Sequence, residues 1–355
     1  MLEPEPGLSE ARDSAVSWTA AVINFDGGDA AADTVSSLKE LRQPPAEVLL
    51  IDDQSTDESV SIVRSRHPDV RILPMPGHSG RPAAVRNMAL RHARHRYVLL
   101  CDNDIRLTPE STTRLFAAMR SAPDIAVCSA IVVHRSDPQM VQVRAQPLHY
   151  LCWSTAIADR RLSDALARGL LPGIGCGVQL VDREAAEIAG FFDDNLAFGW
   201  MDDGDLHLRL SLFGYRVLSV PDAVAVHGRK RTVSRTYGQL HNRWYVLLSH
   251  YQLRTLIAIL PALALFELLL LAQAILSRRP GSYFRALRDV WAKLPQILEQ
   301  RRRIRRHRRV DDSEILCAGD LDVPRHLRDG RGLAVLQGTL SAVFRWYWYV
   351  VRRVL

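Results

Sequence analysis

Cysteine is scarce in this chain: Cys101, Cys128, Cys152, Cys176 and Cys317 are scattered and odd in number. No two of them have metal-ligand spacing, which argues against a zinc module and points to free thiols in a reducing compartment. Residues 1–17 lack the basic start and apolar run of a secretory signal. With Glu3, Glu5, Glu10 and Asp13 and no apolar core, they read as a disordered tail. Neither GxGxxG nor GxxxxGK[ST] occurs, which weighs against a dinucleotide oxidoreductase and a P-loop enzyme. There is no internal repeat. Outside one segment there is also no excess of positive charge. Residues 278–309 hold twelve Lys/Arg and two Asp/Glu, a local excess larger than the whole chain's +7. The remainder is therefore net acidic, and the basic character belongs to one segment.

What is present is enough for one large domain or two ordinary ones, with 355 residues, 47% hydrophobic and 24% charged. From Trp18 to about His227, short apolar runs alternate with helix-period stretches. Strands are predicted at 19–25, 48–51, 70–73, 97–100 and 126–133. Helices are predicted at 31–41, 57–65 (capped by Ser55 or Thr56), 83–95 and 109–121. Such alternation predicts an α/β fold, a mostly parallel sheet with helices on its faces. After His227 the pattern turns helical: 234–251, an almost wholly apolar 256–276, and an amphipathic 283–298 with a kink expected at Pro295. The run Arg301–Arg309 and a second apolar, aromatic segment at 333–355 follow.

Acidic clusters carry the chemistry. The apolar run Tyr97–Leu100 ends in Asp102-Asn103-Asp104, and an extended chain would turn both carboxylates to one side. At a strand end, two hard oxygen ligands suit a divalent cation shared with a phosphate; a solvated strand end explains them equally well. Asp52 and Asp53 close an earlier strand, where carboxylates can accept hydrogen bonds from a base or a ribose. Helix capping is the plainer explanation there. Gly77–Asn87 is a glycine loop running into a helix, whose N–H groups favour a phosphate and whose Arg81 adds charge-assisted bonds. Asp202, Asp203 and Asp205 form a third acidic cluster and precede the helical run 206–212. They serve either its dipole or as a general base, since crowded like charges raise at least one pKa. His227 ends a strand beyond them, as a structural histidine or a further cation ligand. Trp200 is either a sugar-stacking ring or a core aromatic.

The order of these motifs resembles the family 2 glycosyltransferases of GT-A fold, a Rossmann-like nucleotide-diphospho-sugar transferase domain. The matching residues are Leu49–Asp57, Ala83–Asn87, Leu100–Asp104, Gly175-Cys176-Gly177, Ala189–Asp193, Asp202–Leu206, Gly214–Arg216, Pro221–Ala223 and His227. They cover about residues 18–250. The departures are Asn24-Phe25-Asp26-Gly27 at the first strand end and Asp202 in place of the family's usual Glu. The spacing from Gln239 to Arg243-Trp244 misses that of processive synthases by one residue, so no polymerising activity is expected.

The resemblance implies inverting transfer of a single sugar from a nucleotide-sugar donor to an acceptor hydroxyl. It implies a donor site at Asn24, Asp52, Asp53, Arg81 and Asp102. It implies Mg²⁺ or Mn²⁺ at Asp104, Asp102 and His227. Asp203 is the base, with Asp202 as its alternative, and Trp200, Gly175 and Cys176 lie on the acceptor side. Asn242-Arg243 followed by apolar and basic helices resembles the rhamnosyltransferase-like members, which glycosylate lipid-linked acceptors in cell-wall or polysaccharide synthesis.

Residues 251–355 form a helical, basic, membrane-associating region in this reading. The segment 256–276 is long enough to span, since ~20 residues cover a bilayer core. With the catalytic part facing cytosolic nucleotide sugars, however, one span or two would put Arg301–Arg309 outside, against the positive-inside rule. Helices lying on the cytoplasmic face of the membrane, against anionic lipid, break no rule. The basic run adjoins apolar helices and lacks a recognition module, so nucleic acid is not expected as a partner. The competing functions are glycosylation of a soluble peptide or natural product, and a catalytically inactive membrane scaffold.

Overall fold

A computed structural model of the chain describes residues 16–155, 160–175, 177–197, 200–228, 236–321 and 331–355. The expected N-terminal tail lies almost wholly outside them, as does Cys176.

In chain order the first half runs β1 (Trp18–Asn24), α1 (Asp29–Lys39), β2 (Glu47–Asp52), α2 (Ser59–Arg66), β3 (Arg71–Pro74), α3 (Pro82–His92), β4 (Tyr97–Asp102), β5 (Ile105–Leu107), α4 (Ser111–Met119), β6 (Ile125–His134) and β7 (Asp137–Val143). A small hairpin follows, β8 (Leu148–His149) and β9 (Trp153–Ser154). Then come α5 (Leu162–Arg168), β10 (Leu171–Pro172), β11 (Gln179–Asp182), α6 (Arg183–Ala189), α7 (Gly204–Leu212) and β12 (Arg216–His227). The rest is helical: α8 (Thr236–His250), α9 (Leu253–Leu276), α10 (Pro280–Ala292), α11 (Leu294–His307), α12 (Asp312–Ile315) and α13 (Arg331–Val351).

The main sheet has the order β10-β12-β6-β11-β4-β1-β2-β3, with β5 on β12 and β7 on β6. β1 pairs in parallel with β2 and β4, whereas β11 runs antiparallel to β4 and β6. The apolar runs of the central strands are buried on both faces, as parallel strands under helices must be. Their alternate residues divide between two cores: Ala21, Leu49, Ile51 and Leu100 on one face, Val22, Leu50, Leu99 and Cys101 on the other. Each such leucine or isoleucine contributes about 1.5–3 kcal/mol by leaving water. The first of these cores continues without a break into Leu240, Phe266, Phe344 and Trp348 of the C-terminal helices.

The chain leaves β1 toward β2 and β3, then returns to place β4 on the other side of β1. The crevice at the carboxyl ends of β1 and β4 is thus a topological switch point, where open α/β sheets bind ligands. Asn24, Asp52 and Asp102 end the three strands that meet there.

The structure corrects three local expectations. Neither Ser55 nor Thr56 caps α2: Glu58 precedes it without a side-chain bond, and Asp57 Oδ1 accepts from the Ser59 N–H at 3.0 Å. Ser55 Oγ instead donates to Asp52 at 2.6 Å. Pro295 does not kink a single helix. α10 ends at Ala292, and the proline sits in the first turn of a separate α11, where its missing N–H costs nothing. Asp102 and Asp104 do not share an extended strand, because the chain turns at Asn103-Asp104 into β5. β5 pairs antiparallel with β12 and sets Ile105 opposite His227.

Candidate active site

The floor of the crevice is a hydrogen-bonded platform. Asn24, wholly buried, donates to Asp52 Oδ1 at 2.8 Å and to Ser55 and Ser59 at 3.0 Å each. Asn103 donates back to Asn24 Oδ1 at 2.8 Å, so the ends of β1, β2 and β4 are stitched together. Asp52 is therefore committed to the fold through both oxygens. Asp53 is equally occupied. It accepts from the N–H of Ser79 at 2.7 Å and of Gly80 at 3.0 Å, and His78 Nδ1 lies 3.2 Å away. The loop amides expected to meet a phosphate thus hold Asp53. His78 stacks on Phe25 with ring centres 4.4 Å apart, at the rim beside this carboxylate. Arg81 is exposed and donates to the Asp194 carbonyl at 3.1 Å.

Above the platform, α3 supplies the residue that organises the site. Pro82 starts the helix, and one turn on Arg86 points inward with its side chain 6% exposed. Its guanidinium lies 3.4 Å from Asp202 Oδ2 and 3.8 Å from Asp102 Oδ1. Burial opposes the charge of Arg86, but Asp202, Asp102 and Asp203 outweigh it and hold the proton more firmly than usual. The next residue, Asn87, donates to the Phe192 carbonyl at 2.9 Å and to Asp194 at 2.7 Å. It thereby fixes the turn after α6, where Gly190 adopts φ +88° as a left-handed cap.

The acidic cluster before α7 divides into three environments. Asp202 is buried, and burial pushes its carboxyl up to about 7; Arg86 works against that rise, and Asp203 and Asp102 add to it. Asp203 is half-buried and stands at the N-cap of α7. Gly175, at φ +76°, lies beneath it: a Cβ there would come within 3.4 Å of Asp203 Oδ1. Asp205 turns the other way, into the core, where it pairs with Arg209 and with His250 at 2.8 Å. Burial raises its pKa, yet Arg209 and His250 more than reverse this and hold it below the usual carboxylate range.

His207 braces the Gly175 loop. Its Nε2 meets Gln179 Oε1, and its Nδ1 accepts the Gly175 N–H at 3.0 Å. Desolvation pulls its pKa down to about 4, so the ring is neutral, as this bonding pattern requires. On the far side of Asp102, Asp104 Oδ2 faces His227 Nε2 at 3.3 Å, and Gln142 lies at 2.9–3.2 Å from His227 Nδ1. The Gln142 amide nitrogen is the nearer atom at 2.9 Å and its oxygen lies at 3.2 Å; with the oxygen accepting from Nδ1–H, Nε2 is left as the metal-ligand nitrogen. Among the described residues no group of three or more His, Cys, Asp or Glu converges as a metal cluster.

One crevice therefore brings together Asp102, Asp104, Asp202, Asp203, Gly175 and His227, with Arg86 among the carboxylates. Residues 19–186 match the model of the family described as Glycosyl transferase family 2. These residues are a family 2 glycosyltransferase domain. The transferase is 26% identical over 226 residues to N-acetylglucosaminyl-diphospho-decaprenol L-rhamnosyltransferase of Mycobacterium tuberculosis, covering 57% of this chain and 72% of that one. Among solved structures it is similar to GalNAc-T7 with UDP, GalNAc and Mn²⁺ (TM-score 0.55, 12% identity, 69% of this chain and 51% of that one). It is also similar to S. aureus TarS 1–349 with UDP-GlcNAc (TM-score 0.52, 14% identity, 95% and 91%). The transferase spans about half the length of the GalNAc-T7 chain. At these identities the likeness is one of fold, and the expected GT-A fold is borne out, as is the expectation of an enzyme.

The sequence reading missed Arg86, His207, Gln179 and Gln142, which contact the residues of this crevice. Arg86 lay in plain view within Ala83–Asn87. Its signal was a single cation on the buried face of a helix that follows a glycine loop. Trp200 packs near Trp153, ring centres 6.2 Å apart, and its carbonyl accepts from Asn242 at 2.9 Å.

Proposed function

We propose that the transferase moves one sugar, with inversion, from a nucleotide-sugar donor to a hydroxyl of a lipid-linked acceptor at the cytoplasmic face of a membrane. The observation that carries this reading is the pairing of Arg86 with Asp102 and Asp202, beside the half-buried Asp203. In this reading Asp102 lies on the diphosphate side of the crevice and Asp203 on the proton-accepting side. The lipid-linked acceptor is supported by the likeness to the mycobacterial N-acetylglucosaminyl-diphospho-decaprenol L-rhamnosyltransferase, and the membrane surface by the exposed apolar face of α9.

In this reading the donor base enters at the Phe25–His78 edge, and the strand ends Asn24, Asp52 and Asp53 hold the walls of that slot. Arg81 at the mouth meets the diphosphate. Asp203 takes the proton of the acceptor hydroxyl as it attacks the anomeric carbon, and the nucleoside diphosphate leaves on the opposite face. The fit of a divalent cation can be judged from Asp104 and His227. Two donors on one cation at ~2.1 Å each stand about 3 Å apart, and these two are 3.3 Å apart. One or two protein ligands suffice where substrate phosphates and water complete the shell of Mg²⁺. Asp104 and His227, with Asp102 beside them, would hold such an ion, which supplies charge to stabilise the leaving diphosphate.

The test is nucleoside diphosphate release from a panel of nucleotide sugars with Mn²⁺. Release is expected with one donor class, and it is expected to disappear with EDTA and in Asp104→Ala. No release with any donor, or release untouched by both treatments, overturns the metal-dependent transfer.

A further inference from the structure

Helix α9 is apolar all round, yet only one side of it is covered. Ile259, Ala262, Phe266, Leu270 and Ala274 are buried along its length. Phe266 meets Trp153 at 5.4 Å and Phe344 at 6.1 Å between ring centres. Tyr347 of α13 donates to the Ala258 carbonyl at 2.6 Å. Glu267, the single charged residue between Ile257 and Leu276, is turned inward. It pairs with Arg243, which is 0% exposed, and accepts from Tyr283 at 2.6 Å.

The opposite stripe carries no charge. Ile257 (64% exposed), Leu260 (58%), Leu268 (65%) and Ile275 (57%) recur at helical spacing along one face. Beside α9, α13 exposes Trp346 and Tyr349, and α10 exposes Phe284 and Trp291. Exposed arginines close both long helices: Arg278 and Arg279 after α9, Arg352 and Arg353 after α13. An uncharged stripe with aromatic residues beside it and cations at its ends matches acyl chains under an anionic headgroup layer. A second copy of this chain offers no such charge complement, since the same cations would face each other.

We infer that α9 is an in-plane docking helix: it lies along one leaflet with the 257–275 stripe toward the acyl chains, and it does not cross the bilayer. The inference rests on the membrane reading above and settles how the membrane is met. Crossing would require lipid on every side of α9. It would also strip Glu267 from Arg243 and leave one charge in hydrocarbon and the other buried without its partner.

The test uses the full chain and vesicles of phosphatidylcholine with one-quarter phosphatidylglycerol. The chain is expected to float with these vesicles, and the Leu260→Glu/Leu268→Glu variant to lose binding by about tenfold or more, with its thermal melt unchanged. Single cysteines at Leu253 and Leu276, in a Cys176→Ser/Cys317→Ser background, are both expected to react with an impermeant maleimide added outside. If that background does not fold, quenching of a fluorophore at position 268 by lipids brominated at different depths replaces it, with a shallow position expected. Flotation with one helix end protected, or with position 268 at the bilayer centre, overturns the in-plane arrangement and leaves the membrane reading standing. Failure to float at all removes the membrane reading itself. A dimer in lipid-free solution that the double variant splits assigns the stripe to a second copy.

Discussion

Asp203→Asn is expected to lower sugar transfer by roughly 10²–10⁴-fold, the usual worth of a general base, while donor binding stays intact. The choice between the adjacent carboxylates follows from their surroundings. Asp202 is buried and held by Arg86, so its lone pairs face a guanidinium and the protein interior. Asp203 is half-buried, and the neighbour beneath it, Gly175, has no side chain to intrude. An acceptor hydroxyl can therefore reach Asp203 from the crevice and cannot reach Asp202 without displacing Arg86. Turnover numbers with saturating donor, together with donor-induced thermal shifts, separate lost chemistry from lost binding. Asp202→Asn supplies the contrast: it removes the nearest anion from a buried arginine and is expected to lower the melting temperature as well as activity. If Asp203→Asn keeps native turnover and Asp202→Asn loses it with an unchanged melt, the roles are reversed.

Which parts of this site were legible in sequence follows from how far apart the partners are. The strands of the parallel half announce themselves locally, because burial on both faces demands a continuous apolar run, and two of these runs, β2 and β4, end in carboxylates. The GT-A resemblance rested on those runs and their order, and it held. Contacts across more than 100 residues were not legible. Arg86 meets Asp202 from another element, and His227 meets Asp104 only because β5 folds back on β12. Nothing near Asp104 in sequence encodes that pairing, so an extended chain through Asp102 and Asp104 was the natural expectation, and the turn at Asn103 defeated it.

The arginine run shows the opposite failure, a strong local signal with mixed use. Arg301 donates to the Leu248 carbonyl at 2.7 Å, Arg308 pairs with Asp312 at 2.8 Å, and Arg303 lies over Gly190. These three serve the packing of α11, and the exposed Arg302, Arg305, Arg306 and Arg309 remain for solvent or lipid. Composition counts charges and cannot say which of them helix packing will consume.

Replacing Arg86 with methionine is expected to destabilise the fold by about 3–5 kcal/mol, the cost of leaving a buried charge without its partner. It should also change how stability depends on pH. Burial already raises the Asp202 carboxyl from the ordinary aspartate range to about 7, with Arg86 pulling it back. Between about pH 4 and 7 the folded chain therefore holds a proton at Asp202 that the unfolded chain has released. This group's contribution to stability is complete below about pH 4, falls as the pH rises through 7, and is gone above it. Without Arg86 the pKa moves higher still, so the fall continues into the alkaline range, where the native chain has levelled off. Urea unfolding across pH 5–9 reads the shift directly. The pH–rate profile gives a second reading: its acidic limb should move to higher pH in Arg86→Met, because Asp202 loses the guanidinium that favours its charged form. Arg86→Lys keeps the charge and loses the fork, and should restore most of the stability with less of the activity. A methionine variant with native unfolding and a native pH profile would show that the carboxylates of this crevice are balanced by something other than Arg86.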